Sequence, residues 1–156
     1  MIGTLQIKIY YRAEFLPVIC SFVTETARVF GATSKELADL CLAAEETAMH
    51  IIEAFPPEDG GDVFEVTCQG KPDGVEYVFN NLGLPVNVES LPQYDLTAPD
   101  ESLDGLRLFL ARKMVDQLDF VNLGNEGWRT VLFKRLIAPR RISPAQTRQP
   151  LTSEGG

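Results

Sequence analysis

The sequence is poor in the residues that most often announce a site by spacing alone. It has 3 cysteines, 1 histidine and 1 tryptophan among 156 residues. Cys20, Cys41 and Cys68 are widely separated, lie among apolar neighbours and form no Cys-x-x-Cys. That pattern predicts buried, reduced thiols in a cytoplasmic protein. With His50 as the lone imidazole, no zinc-ligand spacing is present, and no metal ligand is expected. No apolar run reaches the length of a transmembrane helix. The opening MIGTLQIKIYY lacks the cationic flank and apolar block of a secretory signal. Positive charge is scarce as well: 14 Lys and Arg stand against 22 Asp and Glu, a net charge of −8. A surface of that sign is unsuited to the phosphates of nucleic acid or to an anionic membrane.

What is present suits one globular domain. Hydrophobic residues make up 45% and charged residues 23%, ordinary for a chain that buries a core. Alternation over Thr4–Tyr11 predicts a strand. Phe15, Ile19, Phe22, Thr26 and Val29 recur at helical spacing, which predicts a helix from Glu14 to Phe30 with Pro17 in its first turn and Gly31 closing it. Thr33-Ser-Lys-Glu36 reads as a capping box opening a second helix. Leu37, Leu40, Cys41, Ala44, Ala48, Ile51 and Phe55 form its apolar stripe, and Pro56-Pro57 ends it.

Phe64, Val66 and Cys68 alternate with Glu65 and Thr67 in a strand. The turn Lys71-Pro-Asp-Gly74 returns the chain into a second strand, Val75–Phe79. Residues 80–102 form a long segment with three prolines, the length of a lid or linker. A third helix is expected from Asp104 to Leu118, with Leu106, Leu110, Met114 and Leu118 inward. Asp119–Leu123 and Trp128–Leu136 read as a hairpin around Gly124-Asn-Glu-Gly127. Residues 137–156 carry Arg140, Arg141 and Arg148 against Glu154 and no aromatic residue, which predicts a flexible tail or a linker. Strand pairs joined by tight turns imply a mostly antiparallel sheet of about five strands. Three amphipathic helices cover one of its faces, giving an α/β (α+β) two-layer sandwich over residues 1–136.

Four strings in this order resemble the GHKL, or histidine-kinase-like, ATPase domains of the Bergerat fold, and within them the RsbW/SpoIIAB type of anti-sigma factor serine kinase. They are Ala43–His50 (AAEETAMH), Asn80–Pro85 (NNLGLP), Asp104–Ala111 (DGLRLFLA) and Asn122–Gly127 (NLGNEG). The resemblance covers residues 4–136. It implies ATP and Mg²⁺ as cofactors, a sigma factor or a STAS-type anti-anti-sigma protein as partner, and a homodimer. In that family a glutamate on the second helix polarises the attacking hydroxyl, and an asparagine four residues on holds Mg²⁺. Four residues place both groups on one helix face.

The resemblance puts the catalytic glutamate at Glu45 and the asparagine position at Met49, a soft thioether where a hard cation needs oxygen. A shift of one residue pairs Glu46 with His50 instead. Glu45 and Glu46 also suit a solvated helix edge, Met49 a core filler and His50 a structural histidine. The family's Asp-x-Gly, whose carboxylate accepts the adenine amino group, becomes Asn81-Leu-Gly83, with Thr130 as the supporting threonine. Asn81-Leu-Gly83 also suits a plain strand-ending turn. The Gly-x-Gly-Leu that meets the phosphates becomes Leu103-Asp-Gly105-Leu106. Between Lys71 and Arg107 there is no cation and there are seven acids, so the lid region repels a triphosphate.

The expectation is therefore a regulatory domain of a bacterial partner-switching system that binds a protein partner, with ATP binding weak or lost. The alternative is an active ATP- and Mg²⁺-dependent protein serine kinase with Glu45 or Glu46 as base, in which Asn80 or Asn81 meets adenine and Gly83 and Gly105 give backbone access. A nucleotide-sensing domain of a longer regulator fits the same residues.

Overall fold

The computed structural model describes residues 4–54, 63–82, 103–123 and 127–142. Its elements run β1 (Leu5–Tyr10), a short 3₁₀ turn, α1 (Leu16–Val29), α2 (Ser34–Ala54), β2 (Val63–Lys71), β3 (Gly74–Leu82), α3 (Leu103–Met114), β4 (Gln117–Asn122) and β5 (Gly127–Arg135). The five strands form one sheet in the order β1-β2-β3-β5-β4, and every pairing is antiparallel. The helices lie on one face, with α2 between α1 and α3. This is the two-layer sandwich that the sequence predicts.

Sheet alternation decides what meets the helices. Phe64, Val66 and Cys68 of β2 and Val75, Tyr77 and Phe79 of β3 are buried toward them. Tyr77 is fully buried, yet its hydroxyl donates to Val23 O at 2.9 Å and lies 2.7 Å from the Thr26 hydroxyl. A buried phenol with partners on α1 fixes that helix to the sheet at small polar cost. Desolvation pushes the Tyr77 hydroxyl well above the ordinary tyrosine range, so it stays a neutral donor.

Two stripes are rotated from their sequence reading. On α1 the buried line is Ile19, Val23 and Ala27; Phe15 and Phe22 pack at its margin, and Val29 is 50% exposed. On α3, among the described side chains, Leu108 and Ala111 are buried, Met114 packs against the core as expected, and Leu110 is exposed; the expected Leu106 lies outside the described side chains. The third helix ends at Met114 rather than running to Leu118, because β4 already starts at Gln117 and Leu118 is buried there as a strand residue. Short apolar stretches satisfy either period, and here sheet pairing wins.

Local signals were firmer. Thr33 and Glu36 form the reciprocal capping box: Thr33 N donates to Glu36 Oε1 at 2.8 Å, and Glu36 N donates to Thr33 Oγ1 at 3.2 Å. Gly31 closes α1 with φ 101. A Cβ there would come within 2.4 Å of Ala138 O, because the chain after β5 crosses this corner. Ile137 N donates to the second Glu36 oxygen at 2.8 Å, Arg140 N donates to Phe30 O at 2.8 Å, and Ile142 packs against the core. Residues 137–142, assigned by composition to the tail, thus lie against the α1–α2 corner; residues 143–156 lie outside the described set.

The cysteines depart from expectation. Only Cys68 is a free buried thiol; Cys20 and Cys41 form a disulfide across α1 and α2, with Cα atoms 5.0 Å apart. The tight turn at Gly31 folds α1 back along α2, so positions 20 and 41, about equally far from that turn, become neighbours. Nothing in the spacing of 21 residues announces that meeting.

Candidate functional site

The middle helix presents two neighbouring lines of side chains. Cys41, Glu45 and Met49 follow one another at one-turn intervals, and all are half-buried. Glu46 and Glu53 lie on the side toward α3. There Arg107, in the first part of α3, spans both: Nη1 donates to Glu46 Oε2 and Nε to Glu53 Oε1, each at 3.1 Å. The Arg107 side chain is 19% exposed, so this clamp is only partly screened. Arg107 is the first cation after the acidic interval, and it is spent on the helix that the family uses for catalysis. Sequence reading noted its charge but not its partners, since only helix packing brings positions 46, 53 and 107 together.

Glu45 and Met49 do fall one turn apart on one helix, as their spacing requires. Glu45 Oε1 lies 3.2 Å from Cys41 Sγ. No carboxamide or carboxylate stands at position 49, so the donor set does not fit Mg²⁺ at the place the family uses. His50 is buried on the other side of α2, its ring edge-on to Phe120 with centroids 5.8 Å apart.

A second group sits at the end of β3. Asn81 is fully buried and pairs in register with Trp128 of β5. Among the described residues neither its Oδ1 nor its Nδ2 has a hydrogen-bond partner. Thr130 is also buried, on the same sheet face and diagonal to Asn81. Thr47 of α2 is fully buried, and its hydroxyl too lacks a partner among the described residues. Leaving a buried amide unsatisfied costs about 1–3 kcal/mol, so such a group marks a place prepared for a ligand or for a segment not described. An amide oxygen aimed inward at the end of β3 fits an adenine amino group.

Gly105 lies in the first turn of α3. Gly83 and the acidic segment after it lie outside the described residues, as do Pro56-Pro57 and Gly124–Glu126 of the last hairpin. The structure therefore brings together Glu45 with Met49, and Asn81 with Thr130; it leaves Gly83 unplaced.

An antiparallel five-stranded sheet with three helices on one face is the α/β sandwich of the histidine kinase-like ATPase domains. A model of the histidine kinase-like ATPase domain matches residues 11–134, and the chain belongs to that family. Within it the chain is similar to the RsbW type. Proteins named serine-protein kinase RsbW from Bacillus thuringiensis (strain Al Hakam) and Bacillus cereus (strain AH820) are each 26% identical over 148 residues, covering 88% of this chain and 88% of their own. The solved structure of the RsbU and RsbW domains of Rv1364c from Mycobacterium tuberculosis superposes with a TM-score of 0.64 at 18% identity. It covers 91% of this chain and 35% of that longer one, and supports the fold.

Proposed function

We propose that this domain is an anti-sigma-factor-like regulator of a bacterial partner-switching system, which works by holding a sigma factor or a STAS-type anti-anti-sigma protein while its own ATP binding is weak or lost. The observation that carries the reading is on α2. Where the family anchors Mg²⁺ through a carboxamide oxygen, this chain has the thioether of Met49, and phosphoryl transfer depends on metal placement. The neighbouring carboxylates, Glu46 and Glu53, both pair with Arg107, whose single charge offsets one of the two. Regulation by grip needs none of these groups in a catalytic role. The net charge of −8 suits a basic patch on the partner and steers its approach. On this reading the setting is cytoplasmic and the working form a homodimer. Among the described residues no helix is long and apolar enough to cross a membrane.

One observation favours a second reading. The buried amide of Asn81 has no partner among the described residues, and the resemblance assigns this position to the adenine contact. On that reading the domain is an active protein serine kinase of the RsbW type that phosphorylates a STAS protein. Asn81 accepts the adenine amino group, Thr130 supports it, and Gly83 and Gly105 give the phosphates access to backbone. Glu45 orients the attacking hydroxyl of the substrate serine and takes its proton.

Calorimetric titration of the full chain with Mg²⁺–ATP separates the two. The regulator reading expects a Kd weaker than about 100 μM, equivalent to about −5.5 kcal/mol. Tighter binding that Asn81→Leu abolishes would transfer the assignment to the kinase.

A further inference from the structure

Among the described residues one cluster brings three reactive side chains to a single point outside the polar strand end. Cys20 on α1, Cys41 on α2 and Glu45 one turn further along α2 place two sulfurs and a carboxylate oxygen within 4.8 Å of one another. All three residues are half-buried, within reach of small thiols and peroxides. Cys68 offers the contrast: it is 1% exposed and apart from the pair, and burial pushes its thiol up, which keeps it inert. The chain thus holds one protected thiol and one paired, reachable couple beside a carboxylate.

We propose that Cys20 and Cys41 are a reversible redox modification site whose state controls Glu45. In the disulfide form Cys41 has no proton, so Glu45 Oε1, 3.2 Å from its sulfur, receives no hydrogen bond from it. In the dithiol form the Cys41 S–H donates to that carboxylate and engages it, and α1 and α2 are held by packing alone. Oxidation therefore releases the carboxylate and fixes the α1–α2 seam at the same turn. Only the importance given to Glu45 rests on the functional reading above; the thiol chemistry does not.

The chemistry balances with a peroxide as oxidant and a dithiol as reductant. One cysteine thiolate attacks the peroxide O–O bond, which breaks to give a sulfenic acid and hydroxide. The second sulfur attacks the sulfenic sulfur, the S–S bond forms, and water leaves. Two thiols and one hydrogen peroxide become one disulfide and two waters. In reverse, a thiolate of the reductant attacks one Sγ, forming a mixed disulfide. Its second thiol resolves that bond, so the reductant leaves as a disulfide and the protein regains two thiols.

The full chain is equilibrated in graded ratios of reduced to oxidised dithiothreitol, quenched in acid, alkylated and mapped by mass spectrometry, with circular dichroism followed in parallel. Cys20 and Cys41 should change together in one two-electron step with the fold retained, while Cys68 stays unlabelled under native conditions. Stoichiometric hydrogen peroxide should reclose the reduced pair. In Cys41→Ser, Cys20, the sulfur not engaged by the carboxylate, should be trapped as a sulfenic acid by dimedone. For the reduced protein, Glu45→Gln should speed Cys41 alkylation at neutral pH about threefold or more, because a neighbouring carboxylate disfavours the thiolate. Reduction that occurs only on unfolding would make the disulfide a structural staple and overturn the proposal. Reduced protein that retains one equivalent of zinc and resists peroxide would assign the cluster to a metal and overturn it equally. An unchanged alkylation rate in Glu45→Gln would remove the link to the carboxylate. None of these readings needs ATP to bind, so they fail or succeed independently of the nucleotide titration.

Discussion

The two ends of the helix layer treat buried polar groups in opposite ways. Between α1 and the sheet, Tyr77 is fully enclosed but tied to Val23 O and the Thr26 hydroxyl. At the α1–α2 corner, Glu36 is buried and uses both oxygens, one on Thr33 N and one on Ile137 N. Asn81 at the end of β3 and Thr47 in the middle of α2 are equally buried, and their side-chain polar atoms have no partner among the described residues. A fold keeps unsatisfied amides only where something else completes them. The first region is tied down by its own partners, and the second is left open among the described residues.

The largest effect should come from the structural region. Leu40 is fully buried on α2 in the middle of the core. Leu40→Ala should cost about 2–5 kcal/mol in denaturant unfolding through lost burial and the cavity left behind. A cost under 1 kcal/mol would mean that the helix layer relaxes around the gap. Tyr77→Phe should come next, at about 1–2 kcal/mol, since it strips the donor from Val23 O while keeping the ring.

A smaller effect depends on pH. Burial alone would raise the Asp39 carboxyl, but hydrogen bonds and charge from Lys35 and Lys134 outweigh it and hold Asp39 below its ordinary value. A depressed carboxylate adds stability above its unfolded pKa of about 4 and loses it as pH falls through the lower folded value. Acid titration of stability should therefore show a decline below about pH 4 that is shallower in Asp39→Asn. Parallel curves for the two proteins would remove Asp39 from the acid transition. The smallest effect on stability, and the sharpest contrast, belongs to Asn81→Leu. Replacing an unsatisfied buried amide with an apolar group of similar size should leave stability unchanged or raise it slightly. A loss comparable to that of Tyr77→Phe would show that Asn81 is structural, and the two regions would no longer differ in kind.

Signals carried by a few adjacent residues were legible from the chain. The capping box at Thr33 and Glu36, the glycine stop at Gly31 and the Pro72-Asp73 turn each depend on local backbone geometry, and each forms as its residue types require. The strand alternation of β2 was equally plain. The ends of α3 and β4 were not, because Leu118 satisfies a helical and a strand pattern alike and only pairing with Leu132 decides between them. At the candidate site, the one-turn spacing of Glu45 and Met49 was readable because it lies within one helix. The clamp of Arg107 on Glu46 and Glu53 was not, because it crosses from α3 to α2.

The sequence by itself determined the order of elements, the antiparallel layer, the helix caps and the presence of a thioether one turn beyond Glu45, since all of these follow from periodicity, local hydrogen bonding and the chemistry of single side chains. Tertiary structure alone decided that Cys20 meets Cys41 beside Glu45, that Arg107 bridges two acids of α2, and that residues 137–142 pack on the α1–α2 corner. Those contacts join positions from about 20 to more than 100 residues apart, and such distances close only when apolar faces find one another and the chain between them follows.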